Sequence, residues 1–225
     1  MKSITQLAGL LQLASPSLPI GGFSYSQGLE SAVEHGLIYN EATLMQWITD
    51  GLQAVIAVND GPVMSALFQH WRNQKLDEVA TLNEWFLATR ESFELRQETE
   101  QMGWSLAQLA LQMEWYDKKR RIYLEKIRPI GFPISFAFAA ASFELGLAEA
   151  VCAYCCVWIE SQISAALKAV PIGQLIGQKI RFTVQRSLPT IVARILSQNE
   201  VSTFSPHLSI LSARHEVQYS RLFRS

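Results

Sequence analysis

The residues able to do chemistry in this 225-residue chain approach several catalytic templates and complete none of them. Gly22-Phe23-Ser24-Tyr25-Ser26 sets a serine behind a glycine, as a nucleophile elbow does, but the closing glycine is missing and no strand pattern precedes it. Gly21, Gly22 and Gly28 would let backbone approach a phosphate, yet no Lys-Ser/Thr pair follows at the spacing a phosphate-cradling loop needs. His215-Glu216-Val217-Gln218-Tyr219 starts like a zinc-protease helix. Sharing a metal there requires a second histidine one turn on, and Tyr219 holds that place. Cys152, Cys155 and Cys156 crowd one helix face and could offer thiolates to a metal. No histidine or second cysteine pair accompanies them, and free cysteine also packs as a small hydrophobe. His35, His70, His207 and His215 are spread along the chain without a ligand-like spacing. These residues point to a protein without a catalytic centre.

Two segments are not accounted for by core packing. The first runs Leu18-Pro19-Ile20-Gly21-Gly22-Phe23-Ser24-Tyr25-Ser26-Gln27-Gly28-Leu29-Glu30, a rigid proline and flexible glycines feeding a helix, with Ser24 or Ser26 available as its cap. The second is the C-terminal run from Ser212 through His215, Glu216, Tyr219, Arg221, Leu222, Phe223 and Arg224 to Ser225. Its arginine and aromatic content is the mix enriched at protein interfaces. A frayed terminus is the competing reading.

Helical periodicity dominates the elements that must hold these segments. Ile4, Leu7, Leu10, Leu11 and Ala14 share a face that ends at Ser15-Pro16, and a short helix from Ser24 to His35 is stopped by Gly36. Asn40 is placed to cap a helix carrying Leu44, Ile48, Leu52, Val55 and Ile56, which Asn59-Asp60-Gly61-Pro62 should break or kink. Val63, Leu67, Phe68 and Trp71 resume it. Val79, Leu82 and Phe86 mark the next helix, and Met102, Leu106, Leu109, Ala110 and Met113 a longer one. Residues 132–170 are almost wholly apolar or small, with Gly146 as a break, and belong at the centre of a bundle. The last long helix, with Leu175, Ile180, Val184, Leu188, Val192 and Ile195, should bend at Pro189. Gly173 and Gly177 are four apart and predict a smooth strip for close packing, in the bundle or at an interface. No strand-type alternation is sustained. The expectation is an all-α, single-domain bundle of roughly eight to ten helices over residues 1–225. Residues 1–23 would be its N-terminal helix and loop, and residues 205–225 a partner-binding segment.

Composition narrows the function. Hydrophobic residues make up 49% and charged residues 17%, enough apolar surface for a large core with some left for partners. Residues 1–116 hold five basic and thirteen acidic side chains, and residues 117–225 fourteen and seven, so a net −8 half joins a net +7 half. That asymmetry suits charged protein partners better than nucleic acid. The basic run Lys118-Lys119-Arg120-Arg121 reads as a solvated linker. Three crowded cysteines favour a reducing compartment. The weakly positive start, Met1-Lys2, lacks the apolar run and cleavage pattern of a signal peptide, and the uncharged apolar run at residues 129–143, which contains Pro133, is short for a membrane span. A cytoplasmic protein is expected.

The two unexplained segments carry a resemblance. The stretch from Leu11-Gln12-Leu13-Ala14-Ser15-Pro16 through Gly28-Leu29-Glu30 resembles the N-terminal motif of the urease accessory protein UreF family. His215-Glu216 through Tyr219-Ser220-Arg221-Leu222-Phe223-Arg224-Ser225 resembles that family's terminal motif. Glu94-Leu95-Arg96 with Met102-Gly103, and Val170-Pro171-Ile172-Gly173-Gln174 with Gly177-Gln178, are similar to family patterns between them. The resemblance implies an all-α homodimer that serves nickel insertion into urease. It implies binding to UreD (UreH in some organisms), recruitment of the GTPase UreG, and docking on apo-urease, with nickel and GTP handled by the complex and no cofactor held by this chain. A GTPase-activating or checkpoint role toward UreG is part of that implication, although no arginine here is marked as a finger. On this reading Pro19, Gly21, Ser24, Tyr25, Glu30, His215, Glu216, Tyr219, Arg221, Leu222, Phe223 and Arg224 would bind partners. The terminal run would be disordered alone and anchor in a UreD groove through Leu222 and Phe223. A metallochaperone carrying nickel on Cys152, Cys155 or His215 is the rival reading.

Overall fold

The apolar periodicity becomes helices throughout the residues described, 3–198 and 200–225 of a computed structural model. In chain order they are α1 (Ile4–Leu13), α2 (Leu29–Glu34), α3 (Glu41–Gly51), α4 (Gly61–Arg72), α5 (Leu76–Ala88) and α6 (Phe93–Gln112). There follow α7 (Lys118–Lys126), α8 (Phe132–Ser142), α9 (Leu147–Ala169), α10 (Gln174–Gln185), α11 (Leu188–Ser197) and α12 (Pro206–Glu216). Among the described residues there is no strand, and the protein is an all-α, single-domain helical bundle. Met1, Lys2 and Asn199 lie outside the described residues, and with them the start of the segment judged for a signal peptide.

Helix α8 forms the axis. Its residues from Phe132 to Ala141 are all buried, and the alanines let α4 and α6 close on it from two sides. Trp71 of α4 meets Phe138 edge to face at 5.1 Å and donates its indole N–H to the Ile134 carbonyl at 3.2 Å. Gly103 of α6 lies so near the Ile130–Gly131 backbone that a Cβ would stand 2.2 Å from the Ile130 oxygen. Ser135 bonds the Gly103 carbonyl across the same contact. Helix α9 crosses behind, packing on α2, α4, α10 and α11. By length and composition α9 could span a membrane, but 61% of its apolar window is buried in the bundle, which is the burial of a core helix.

Local chemistry sets the helix ends. Asn40 and Thr43 form a reciprocal capping box at α3, and Ser3 and Gln6 form another at α1. The kink expected at residues 59–62 is instead a π-helical segment, Leu52–Asp60, that carries α3 into α4 without a break. The Gly61 N–H reaches back to the Ile56 carbonyl, a wider turn just before Pro62, which has no N–H to donate. Pro189 opens a helix rather than bending one, because it occupies the first turn of α11, where a missing N–H costs nothing. The basic run is not a linker. It forms α7, capped by Asp117 and braced by Arg121–Glu125 at 2.7 Å. Gly173 caps α10 in open space, so only Gly177 packs closely, against Ile163 and Leu167 of α9. Such breaks make the helices more numerous than expected.

Candidate partner-binding site

The two segments singled out by sequence lie together. The backbone at Ser24–Ser26 runs beside the chain end: the Arg224 N–H donates to the Ser24 carbonyl at 2.8 Å, and the Ser26 N–H donates to the Ser225 carbonyl at 2.7 Å. The Ser26 hydroxyl donates to the same Ser225 oxygen. Gly28, in the left-handed region at φ +79°, begins α2, and a Cβ there would press on Leu208 of α12. Helix α12 therefore packs closely on α2 and α6 and delivers His215 between them.

Glu30 organises the junction. Its Oε1 accepts the Leu222 N–H at 2.7 Å, while its Oε2 accepts the Phe223 N–H at 3.0 Å and faces His215 Nε2 at 3.0 Å. The other nitrogen of His215 lies 2.7 Å from Glu94 Oε2, and Glu94 Oε1 accepts from Arg221 at 2.7 Å. The His215 side chain is wholly buried. A neutral imidazole carries one N–H, so satisfying both carboxylates takes two ring protons, or one ring proton and a protonated carboxyl. Glu216 caps α6 from outside by accepting the Phe93 N–H at 2.9 Å. Further in, the Ser225 hydroxyl donates to Glu98 at 2.9 Å. Burial pushes the Glu98 carboxyl up to about 7, against the hydrogen bonds from Gln27 and Ser225. Burial also raises the Tyr25 phenol, with Glu98 adding to the effect and the Arg224 side chain opposing it.

The expected site residues divide into a buried base and an exposed face. Tyr25, Glu30, His215 and Phe223 are buried, and Pro19, Glu216, Tyr219, Arg221, Leu222 and Arg224 are exposed. Gly21 and Ser24 are half-buried. The terminal run differs from the expectation: it is folded against its own chain. Phe223 is only 6% exposed and lies under Lys168, whose ammonium stands 5.2 Å from the ring centroid. It is thus an anchor to its own bundle, because three carboxylates of α2 and α6 meet the tail's N–H groups and hydroxyl. The outward apolar groups are Tyr219, Leu222 at 69% exposure and Phe23 at 71%.

Sequence reading missed Glu94 and Glu98 as members of the site, along with Ser26 and Ser225. A signal was present, since Glu94 and Glu98 fall one turn apart and in register with Met102 and Leu106, on the face of α6 that should be apolar. The cysteines sit on α9, where burial pushes the Cys155 thiol up to about 12 and Cys156 is raised by its contact with Cys152 and by burial. Such thiols stay protonated at neutral pH. Among the described residues, no three His, Cys, Asp or Glu side chains converge as a metal set.

The family model UreF matches residues 38–185. The curated urease accessory protein UreF of Ralstonia pickettii is 47% identical over 230 residues, covering all of both chains. That of Cupriavidus taiwanensis is 46% identical with the same coverage. The junction's two segments lie outside the family-model match and inside both full-length alignments.

Proposed function

This chain belongs to the UreF family of urease accessory proteins, and from that membership we propose that it is a non-catalytic adaptor in the cytoplasmic maturation of urease. With UreD (UreH) it recruits the GTPase UreG to apo-urease and modulates it during nickel insertion, nickel being the cargo of the complex. The observation that supports this reading is the composite face at the chain's two junction segments. Phe23, Tyr219 and Leu222 project from it beside the exposed arginines Arg221 and Arg224, while the backbone beneath is tied to buried carboxylates. Rigid aromatic and arginine groups on a fixed base lose little entropy on binding, which is what a recognition surface needs. Modulation of UreG would act through the same face, without any one arginine assigned as a finger.

The test is co-purification with UreD from cells expressing the urease operon. Tyr219→Ala combined with Leu222→Ala removes exposed contacts and leaves the Glu30 and Glu98 hydrogen bonds in place. Removing residues 219–225 takes away the whole terminal strip. Both variants should keep their helicity and lose UreD, with urease left short of nickel. Undiminished co-purification of both would overturn the proposal. The family reading also carries a homodimer, for which exposed Ile4, Leu7 and Leu11 on α1, and Leu175 and Phe182 on α10, supply apolar surface; light scattering of the purified chain tests it.

A further inference from the structure

Beside the junction lies a cavity of about 300 Å³ between the π-helical segment, α6, α9 and the start of α12. Its walls are rich in aromatic rings, among them Trp47, Phe132, Trp158 and Phe204. The two indole N–H groups are already spent, Trp47 on Gln162 and Trp158 on Gln27, so neither is left to donate to a guest. The acidic groups on the wall are Asp50, Asp60 and Glu98. Against them stands Arg90, bonded to Asp60 at 3.2 Å and stacked on Phe86 with its guanidinium carbon 4.1 Å from the ring centroid. The Arg90 charge is therefore consumed internally, with His207 the other basic side chain on the wall. Glu98 accepts one bond at each oxygen, from Gln27 and from Ser225, and each oxygen keeps a lone pair for a guest; above pH 7, where its carboxyl is ionised, it gives the π-lined chamber a buried negative charge. Arg90 Nε is buried without a partner and offers one donor to an acceptor atom of a guest.

We propose that this cavity is a binding site for a small organic cation, an ammonium- or guanidinium-bearing molecule whose charge lies at Glu98 and whose apolar part lies among Trp47, Phe132 and Trp158. An anion would meet the Asp50 and Glu98 carboxylates and aromatic faces, both repulsive. A bare metal ion would lack a converging set of three ligand side chains among the described residues. A delocalised organic charge suits aromatic faces and a single carboxylate. The volume is at the small end of ligand sites, which limits the guest to about one ring with a short arm.

The probes are benzylammonium, benzyl alcohol and benzoate, followed by calorimetry and by fluorescence of the tryptophans in the full chain at pH 8. Benzylammonium should bind with a Kd on the order of 1 mM or tighter, and the neutral and anionic probes at least tenfold more weakly. Glu98→Gln keeps the side chain's shape and should erase the preference for the cation over the alcohol. Ala54→Trp, at an exposed position that also lines the cavity, should abolish binding of all three and keeps the test sound if Glu98→Gln fails to fold. No binding of benzylammonium, equal binding of the alcohol, a preference that survives Glu98→Gln, or binding untouched by Ala54→Trp would each overturn the proposal.

Discussion

Glutamine in place of Glu30 changes one acceptor oxygen into an NH₂ donor while leaving the side chain's size alone. Two donors meet the two oxygens of this carboxylate, the N–H of Leu222 at one and that of Phe223 at the other, and a ring nitrogen of His215 faces the second oxygen. Whichever way the amide turns, its NH₂ confronts at least one of them. One charge-assisted hydrogen bond is lost, worth about 1.5–3 kcal/mol, and a donor is stranded. The chain can relieve that conflict by letting the tail go, so the cost is capped by the free energy with which residues 217–225 dock. A loss of about 2 kcal/mol in docking corresponds to about 30-fold more opening. Native-state hydrogen exchange reads it directly: the Leu222 and Phe223 amides should exchange about 30-fold faster, and those of α4 and α8 at their original rate. Trypsin should also cleave after Arg221 more readily under native conditions. Wild-type protection at Leu222 and Phe223 would refute the anchoring role of Glu30. An equal rise in α8 would show that the tail and the core open as one unit.

Three further outcomes are expected. Gly103→Ala should cost about 3 kcal/mol, because the new Cβ meets the backbone of Ile130 and Gly131, which cannot swing aside as a side chain could. Calorimetry should show a clear fall in Tm, and an unchanged Tm would mean that α6 and α8 are less closely packed than described. The Glu98 carboxyl is raised to about 7 from 4.5 by burial, so the fold favours its neutral form. The stability this gives is complete below pH 4.5 and lost as the pH rises through 7, amounting to about 3 kcal/mol at roughly 1.4 kcal/mol per pH unit. Urea midpoints taken from pH 5 to 8.5 should therefore slope downward in the wild type and flatten in Glu98→Gln; parallel slopes would remove Glu98 as the cause. Cys155, its thiol pushed up to about 12 by burial, should resist iodoacetamide at pH 7.5 until urea unfolds the chain. Modification in the folded protein would contradict that burial.

Much of the architecture was legible in the residues themselves. The cap at Asn40, the break at Gly146 and the central place of residues 132–170 follow from local propensity and apolar period, which act over a few residues. The π-helical passage through Leu52–Asp60 was not legible, since a wide turn and a kink answer the same Gly-Pro signal and only the packing around them chooses. The run Lys118–Arg121 reads as a linker by its charge alone, while the Asp117 cap just before it and the i,i+4 pair Arg121–Glu125 make it a helix.

The sequence by itself determined that the chain is helical, that its apolar middle is the core, and that residues 18–30 and 212–225 are unlike packing material. Only the tertiary structure decided that those two segments touch, that Phe223 faces inward while Leu222 faces outward, and that Glu30, Glu94 and Glu98 are the groups holding them. The reason is range. A helix is written by residues three and four apart, whereas Glu30 and Phe223 are separated by 193 positions. Whether a carboxylate ends in water or beneath a strip of backbone N–H groups depends on how α2, α6 and α12 close around it, which no local pattern encodes.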